Sequence, residues 1–594
     1  MAFLVSPGVQ IQEKDLSNVV PAVASSIGAC AGPFKWGPSG VAVIVSSEND
    51  LVTNFGKPDA SVAVPFLTAA SFLKYGNTLK VTRAVNSSSY NALASYPVSV
   101  SGTSIATGSG TAVQITNSDV FANASFSTST SFISRYPGAL GNGLWVTVFG
   151  STSNNATTAS DAVIAVGSTP GGGFDYKPTT TDEIHVLIQD DGSISGTAGT
   201  VLERWQGLSL YTDSKRVDGT NNYYKDYINR NSAYVWVNTL KTAWTAYGST
   251  ADVTTAAGGI TGIGSNNGIT FDLGTGSSQS VGADGTITSG DVSTALSNVF
   301  ADAATIDVNL LFACDPSAVS GAGATTFSAA EHTVQTIVSA RKDAIGFISA
   351  PLNIWQQTLN SSKLTAVLNK FLDSSATRDP YSVFDSTPLY VYNKYQDNYV
   401  WIPACGHMAG LCANTDTVAD AWFSPAGYNR GNLKGVTKLG YNADQAGRDA
   451  LYQISVNPIV SFPGQGILLF GDKTAQSKPS AFDRINVRRL FIILEKAIAT
   501  AAKYQLFELN DQFTQAMFRN MTEPFLRDVQ GRRGITDFLV VCDSTNNTPN
   551  VVDSNQFVAD IYIKPARSIN FITLNFIATR TGVSFSEIAG ASNA

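Results

Sequence analysis

At 594 residues the chain is too long for one core, so roughly two to four domains are expected. Hydrophobic residues make up 43% and charged residues only 14%, leaving Gly, Ser, Thr, Ala and Asn to carry solubility, a balance that suits strands and turns. A net charge of -7 argues against nucleic acid as the main partner, and five scattered cysteines (Cys30, Cys314, Cys405, Cys412 and Cys542) argue against a disulfide framework and for a reducing compartment.

The first stretch, MAFLVSPGVQIQEKD, has no basic n-region and meets Pro7 and Gly8 at once, so it does not read as a signal peptide. No apolar run approaches the roughly 20 residues that cross a bilayer. A soluble protein made in a cytoplasm, with no membrane insertion, is the expectation. VAVIVSS (41–47) reads as a strand, and Ser47 is a candidate N-cap for a short helix closed by Gly56. A second helix covers 64–76 and a strand covers 79–85. After a long interval the same pattern returns. Residues 291–303 and 329–343 read as helices, while 307–313 and 344–351 read as strands. The expected organisation is therefore an arm over 1–20, a discontinuous α/β domain over 21–86 plus 291–351, an insert over 87–290, and a further domain over 352–594.

Charge separates these regions better than hydropathy does. No Lys or Arg occurs between Arg83 and Arg135, nor from Ala243 to Ala340. Within the insert, LWVTVFG (144–150) and EIHVLIQD (183–190) read as strands, and Trp145, Trp205, Trp236 and Trp244 offer a core that a flexible linker lacks. A β-rich insert is expected. Residues 484–533 hold nine Lys/Arg against five Asp/Glu, a local +4. There Leu490, Phe491, Leu494, Ala497, Ile498 and Ala501 recur at helical spacing, and a second helix covers about 512–528. FVADIYI (557–563) alternates as a strand should, and SINFITLNFIA (568–578) reads as a long strand apolar on both faces.

Little in the chain suggests chemistry. Three histidines, His185, His332 and His407, leave few His-based mechanisms. Cys405, His407 and Cys412 could be three zinc ligands, but their apolar flanks and the lack of a second cluster favour buried structural cysteines and no metal. The run from Gly466 to Thr474 superficially resembles a phosphate loop. Asp472 would repel phosphate and bulky apolar residues fill the cradle, so a strand entering a turn is the better reading, with no cofactor. The pairs Arg488–Arg489 and Arg532–Arg533 read as a solvated basic face or a contact with an acidic protein surface. A carbohydrate-binding or glycosidase role for the β-rich insert is the alternative from another class.

Several separated motifs carry a family resemblance. They are SPGVQIQEKDLSN near the start, GPFKWGP (32–38), DLVTNFGKP (50–58), FLKYGNTLKVTRAV (72–85), YPGALGN (136–142), AGLCANTDTVADAWFSPAGYNRG (409–431), FDRINVRRLF (482–491), CDSTNNTPNVVD (542–553) and PARSINFITLNF (565–576). Together they resemble the tail sheath proteins of T4-like contractile-tailed phages, most strongly over 1–86 and 380–594. The resemblance implies a mixed, multidomain α+β fold, with a conserved α/β core built from both chain ends and a β-rich outer insert. It implies no enzyme but a virion subunit, assembled in the host cytoplasm as stacked six-fold rings in a helical lattice around an inner tail tube. Baseplate and tail terminator proteins would be further partners. The sheath of a phage-derived injection system is the alternative within that class. The arm (Gly8–Glu13) and the terminal strands are expected to add to sheets of adjacent copies, with Val9, Ile11, Phe557, Ile561, Ile563, Ile569, Phe571 and Leu574 as exchange residues. Arg519, Arg527, Arg532 and Arg533 are the candidates for contact with the inner tube, or else with carboxylates of a neighbouring sheath copy.

Overall fold

The computed structural model describes residues 24–95, 112–126, 130–149, 174, 182–238, 240, 269–274, 281–315, 327–373, 377–570 and 573. The first part runs β1 (Gly28–Gly32), β2 (Val43–Val45), α1 (Glu48–Phe55), α2 (Ala63–Leu73) and β3 (Leu79–Arg83). Helix α1 starts where the Ser47 side chain accepts from Asp50 N–H, and stops where Gly56 takes φ 81°, a conformation that is costly for residues with a Cβ. The insert carries β4 (Leu93–Ser95), β5 (Thr130–Ser134), β6 (Leu144–Phe149), β7 (Glu183–Asp190), β8 (Thr200–Ser209), β9 (Val235–Val237) and β10 (Ile269–Asp272). They form two antiparallel sheets, ordered β10-β6-β7-β8 and β4-β5-β9. The chain then returns through α3 (Ser289–Phe300), β11 (Leu310–Ala313), α4 (Ala329–Arg341), β12 (Ile345–Ile348), α5 (Asn360–Leu372) and β13 (Ser382–Asp385).

Strands from both sides of the insert meet in one seven-stranded sheet. Its order is β17-β13-β12-β11-β1-β3-β2, where β17 is Val456–Asn457, and all pairs are parallel except β2 with β3. Residue alternation gives the sheet two buried faces. Ala29, Ala31, Leu311 and Ala313 pack on α3 and α4, while Cys30, Leu310 and Phe312 face α2 and the helix α6 (Cys405–Val418). Helices α2 and α6 approach very closely. A Cβ on Gly406 would stand 2.1 Å from the Thr68 carbonyl oxygen, so only glycine fits there. The sheet does not end at residue 351. It takes β13 and β17 from beyond 352, so the domain boundary expected there falls inside a continuous sheet. Strand registry is a long-range property that local periodicity does not carry.

The insert is fixed to this body by three consecutive residues. Phe34 lies in the body core against Phe55, with ring centroids 5.0 Å apart. Trp36 lies in the insert core against Tyr136 at 5.4 Å. Between them, Lys35 Nζ bonds Asp59 at 2.7 Å and Asp284 at 2.9 Å. Arg83 is fully buried at the same junction and donates to the Pro137 carbonyl at 2.6 Å; burial pulls its pKa down to about 10, against the pull of Asp284.

The remaining body strands are β14 (Leu389–Asn393), β15 (Asn398–Ile402), β16 (Val436–Leu439), β18 (Ile459–Phe462) and β19 (Gly466–Leu469). The first three make a small sheet, β15-β14-β16, and the last two a hairpin. A C-terminal module follows: α7 (Ile485–Ala502), α8 (Gln512–Gly531), β20 (Ile535–Val541) and β21 (Asp560–Pro565).

Candidate assembly surface

Helix α7 ties the C-terminal module to the body because two of its stripes are buried in different cores. Ile485 and Ile492 join the body core; Leu490, Leu494, Ala497 and Ala501 pack with Phe518, Met521, Leu526 and Val529 of α8 and with Ile535 and Val540 of β20. The expectation that Arg488 and Arg489 form a solvated face is corrected by their burial, each only 3% exposed. Arg489 bonds Asp416 Oδ2 at 2.7 Å, the Cys412 carbonyl at 3.1 Å and the Ser25 carbonyl at 3.2 Å, pinning α7 to α6 and to the entry of β1. Arg488 lies over Tyr381 and Phe482, 4.5 and 4.8 Å from the ring centroids, and reaches Glu495 at 3.2 Å. A polar residue on an otherwise apolar stretch of helix hides its partner from any local pattern.

Strands β20 and β21 form a two-stranded antiparallel ribbon over this core. Ile535, Val540, Ile561 and Ile563 face inward. On the outer face Leu539 pairs across the ribbon with Tyr562, and Lys564 bonds Asp537 at 2.9 Å. Leu539 and Tyr562 are 57% and 60% exposed, a large apolar pair for a surface strand. The polar loop from Cys542 closes the end of the ribbon. Buried Asn547 clamps Val558 in both directions, accepting from its N–H and donating to its carbonyl, each at 2.8 Å. Among the described residues no third strand lies along either edge of the ribbon.

The expected exchange residues divide into three groups. Val9, Ile11, Phe571 and Leu574 lie outside the described residues. Phe557 sits against Phe518, centroids 5.6 Å apart, and Ile569 is 81% exposed just beyond the ribbon. Ile561 and Ile563 lie in β21. That strand already pairs along β20 of its own chain, with its apolar side on α7 and α8.

Own-chain carboxylates meet three of the four candidate arginines. Arg519 and Arg527 flank Glu523 at 4.0 and 3.3 Å; Arg532 bonds Asp420, stacks over Trp422 at 5.0 Å and reaches Asp528 at 3.7 Å. Arg533 is exposed at φ 66° with no side-chain partner among the described residues. Exposed pairs of this kind contribute little to stability and exchange readily. Sequence reading missed the neighbouring stretch that links α7 to α8 and runs into the first turn of α8. Tyr504, Leu506, Phe507, Leu509 and Phe513 are all at least 63% exposed, and Phe507 has φ 71°. Five large apolar residues within ten positions, between two helix signals, were the available cue.

Cys405, His407 and Cys412 lie along the buried helix α6. His407 Nδ1 is 3.0 Å from the Tyr75 hydroxyl, and burial holds the imidazole pKa well below its usual value. Burial pushes the Cys412 thiol up to about 11. The Gly466–Thr474 run is β19 and the turn after it, and Asp472 is buried against Arg484 at 3.0 Å.

Comparison with known proteins agrees with this reading. Residues 314–475 match the phage tail sheath protein central domain, and 477–579 the phage tail sheath C-terminal domain. The chain is 34% identical to the tail sheath protein of Enterobacteria phage T4, over 99% of each chain. It is 31% identical to that of Vibrio phage KVP40, over 99% of this chain and 100% of the relative. The crystal structure of a sheath tail protein from Listeria innocua has the same fold, with a TM-score of 0.52 at 12% identity over 92% of this chain and 96% of that one. The chain belongs to the tail sheath protein family of T4-like contractile-tailed bacteriophages.

Proposed function

We propose that the chain is the repeating subunit of a contractile phage tail sheath, polymerising as stacked six-fold rings around an inner tube and contracting to drive that tube through the host envelope. Its role is mechanical and not catalytic. It assembles in the host cytoplasm, with baseplate and terminator proteins bounding the polymer. Family membership supports the class of function, and the bare ribbon is the observation that carries the mechanism. Strands from other copies add to the two edges of β20–β21, supplied by the arm near Val9 and Ile11 and by the stretch holding Ile569, Phe571 and Leu574. Each added strand forms about five backbone hydrogen bonds, worth roughly 1 kcal/mol apiece. A backbone ladder leaves the side-chain contacts between bodies free to exchange, so the links persist while the lattice changes shape.

The apolar stretch 504–513 and the exposed Arg519 and Arg527 of α8 support a contact with the inner tube. Weak, screened pairing at Arg519, Arg527, Arg532 and Arg533 suits a tube that must be released. Electron microscopy of the purified chain with and without residues 1–14 tests the reading. Intact chains form tubes, and truncated chains stay folded and unassembled. Normal tubes from the truncated protein would refute the role of the arm.

A further inference from the structure

The small sheet β15-β14-β16 has a face that folding does not need. Its inner residues, Leu389, Val391 and Ile402, fill the body core. Solvent-facing positions of such a sheet are ordinarily polar. Here the outward positions of β14 and β15 are Tyr390, Tyr392, Tyr399 and Trp401, and they pair across the strands as Tyr390 with Trp401 and Tyr392 with Tyr399. The rings hold one another in place. Tyr390 lies 4.7 Å from Trp401 and 5.3 Å from Tyr399, and Tyr392 lies 5.3 Å from Tyr399. Trp355 extends the row, stacked on Trp401 at 5.6 Å and 11°. The Tyr392 hydroxyl is fixed by Asp397 at 2.7 Å. Tyr392, Tyr399 and Trp355 nonetheless remain 47%, 48% and 41% exposed. Pre-ordered aromatic rings that lose little entropy on contact are the composition of an interface centre.

The rim of this face is basic. Lys438 stands opposite Tyr390 in the ladder with its ammonium 5.7 Å from the ring, and Lys394, half exposed beside Tyr395, is shared with Glu48 of its own chain at 3.4 Å. The acid that would complement it is in the same chain. Residues 87–290 hold 14 Asp/Glu against 8 Lys/Arg, a net -6, which is nearly all of the chain's -7. We infer that the aromatic face of β14–β15 is a contact between copies, and that its occupant is the acidic insert of a second copy of this chain. This rests on the sheath reading and adds a side-chain contact separate from the ribbon. Stacked rings already cover much of one another's faces, which suits a protein surface better than a sugar ring lying flat on them.

Two measurements on the full chain test this. The concentration needed for tube formation, read by pelleting at low and high salt, is compared for wild type, Tyr392→Ser/Tyr399→Ser and Lys438→Glu. The variants are expected to keep the wild-type near-ultraviolet signal and to need about tenfold more protein, with the Lys438→Glu effect shrinking at high salt. A photo-crosslinking residue in place of Tyr392 is expected to capture peptides from 87–290 of another copy. Wild-type assembly in the same assay tests the sheath reading by itself, and its failure overturns both ideas. Variants that assemble like wild type, crosslinks outside 87–290, or a polysaccharide affinity lost in variants that still assemble overturn this inference alone.

Discussion

Replacing Arg489 by Met tests how the C-terminal module is held to the body. Arg489 is 3% exposed and Asp416 8% exposed at the side chain, so neither charge is well solvated. Among the described residues Asp416 Oδ1 has no hydrogen-bond partner, and Arg489 is the partner of Oδ2. Asp416 also sits in the last turn of α6, where the helix dipole disfavours a carboxylate. Removing the guanidinium leaves a buried uncompensated charge at Asp416 and takes a donor from the Cys412 and Ser25 carbonyls, for a cost of about 3–5 kcal/mol. The double variant Arg489→Met/Asp416→Leu removes both charges, and its cost falls to near zero because burying the pair was itself expensive. Urea unfolding followed by tryptophan fluorescence measures both, with hydrogen exchange over 405–418 locating the loss. The reasoning fails if Arg489→Met costs less than about 1 kcal/mol, or if the two single effects simply add.

Further outcomes are expected elsewhere. Burial pushes Asp385 up to about 7, with Ser349 Oγ–H and Ala350 N–H donating to it at 2.7 and 3.1 Å. Its folded pKa lies above the unfolded value of 3.8, so the folded state holds the proton longer and this group makes stability fall as pH rises from about 4 to about 7. Asp385→Asn removes that slope, a difference of up to about 4 kcal/mol between the ends of the window; parallel pH–stability curves for the two proteins would contradict it. Gly406→Ala pushes a methyl into the Thr68 carbonyl and is expected to cost about 3 kcal/mol or more, measured as a fall in Tm; an unchanged Tm refutes the close approach of α2 and α6. Trp36→Ala, at about 3–5 kcal/mol, is expected to loosen the insert and speed proteolysis near 84–90 and 282–290, where an unchanged digestion pattern would remove the pin. Reversing Arg519 and Arg527 to Glu is expected to weaken sheath on tube at low salt while leaving folding intact; unchanged tube affinity would move these residues to a sheath–sheath contact.

Local signals were legible in the sequence and distant partners were not. Ser47 and Gly56 bound α1 as read, because a cap is a property of a few adjacent residues. Of the apolar stripe expected on α7, Leu490, Leu494, Ala497, Ile498 and Ala501 are buried, while Phe491 is only half-buried. Arg489 escaped the same pattern because its partner lies 73 residues away, and a guanidinium reads as surface until that carboxylate is found. Extension of the sheet past 352 depends on β12 pairing with β13, and the fate of 557–563 on β20, both set by registry. Aromatic residues such as those of β14 and β15 suit strands, but only the fold shows that Tyr392 and Tyr399 share an outer face.

The claim at the centre is that neighbouring copies complete the β20–β21 ribbon. A helical reconstruction of tubes assembled from the full chain measures this directly. Additional strands from other copies, lying along the outer edges of both β20 and β21, are the predicted result. A ribbon still two-stranded in the tube, with both chain ends folded against their own protomer, would contradict it.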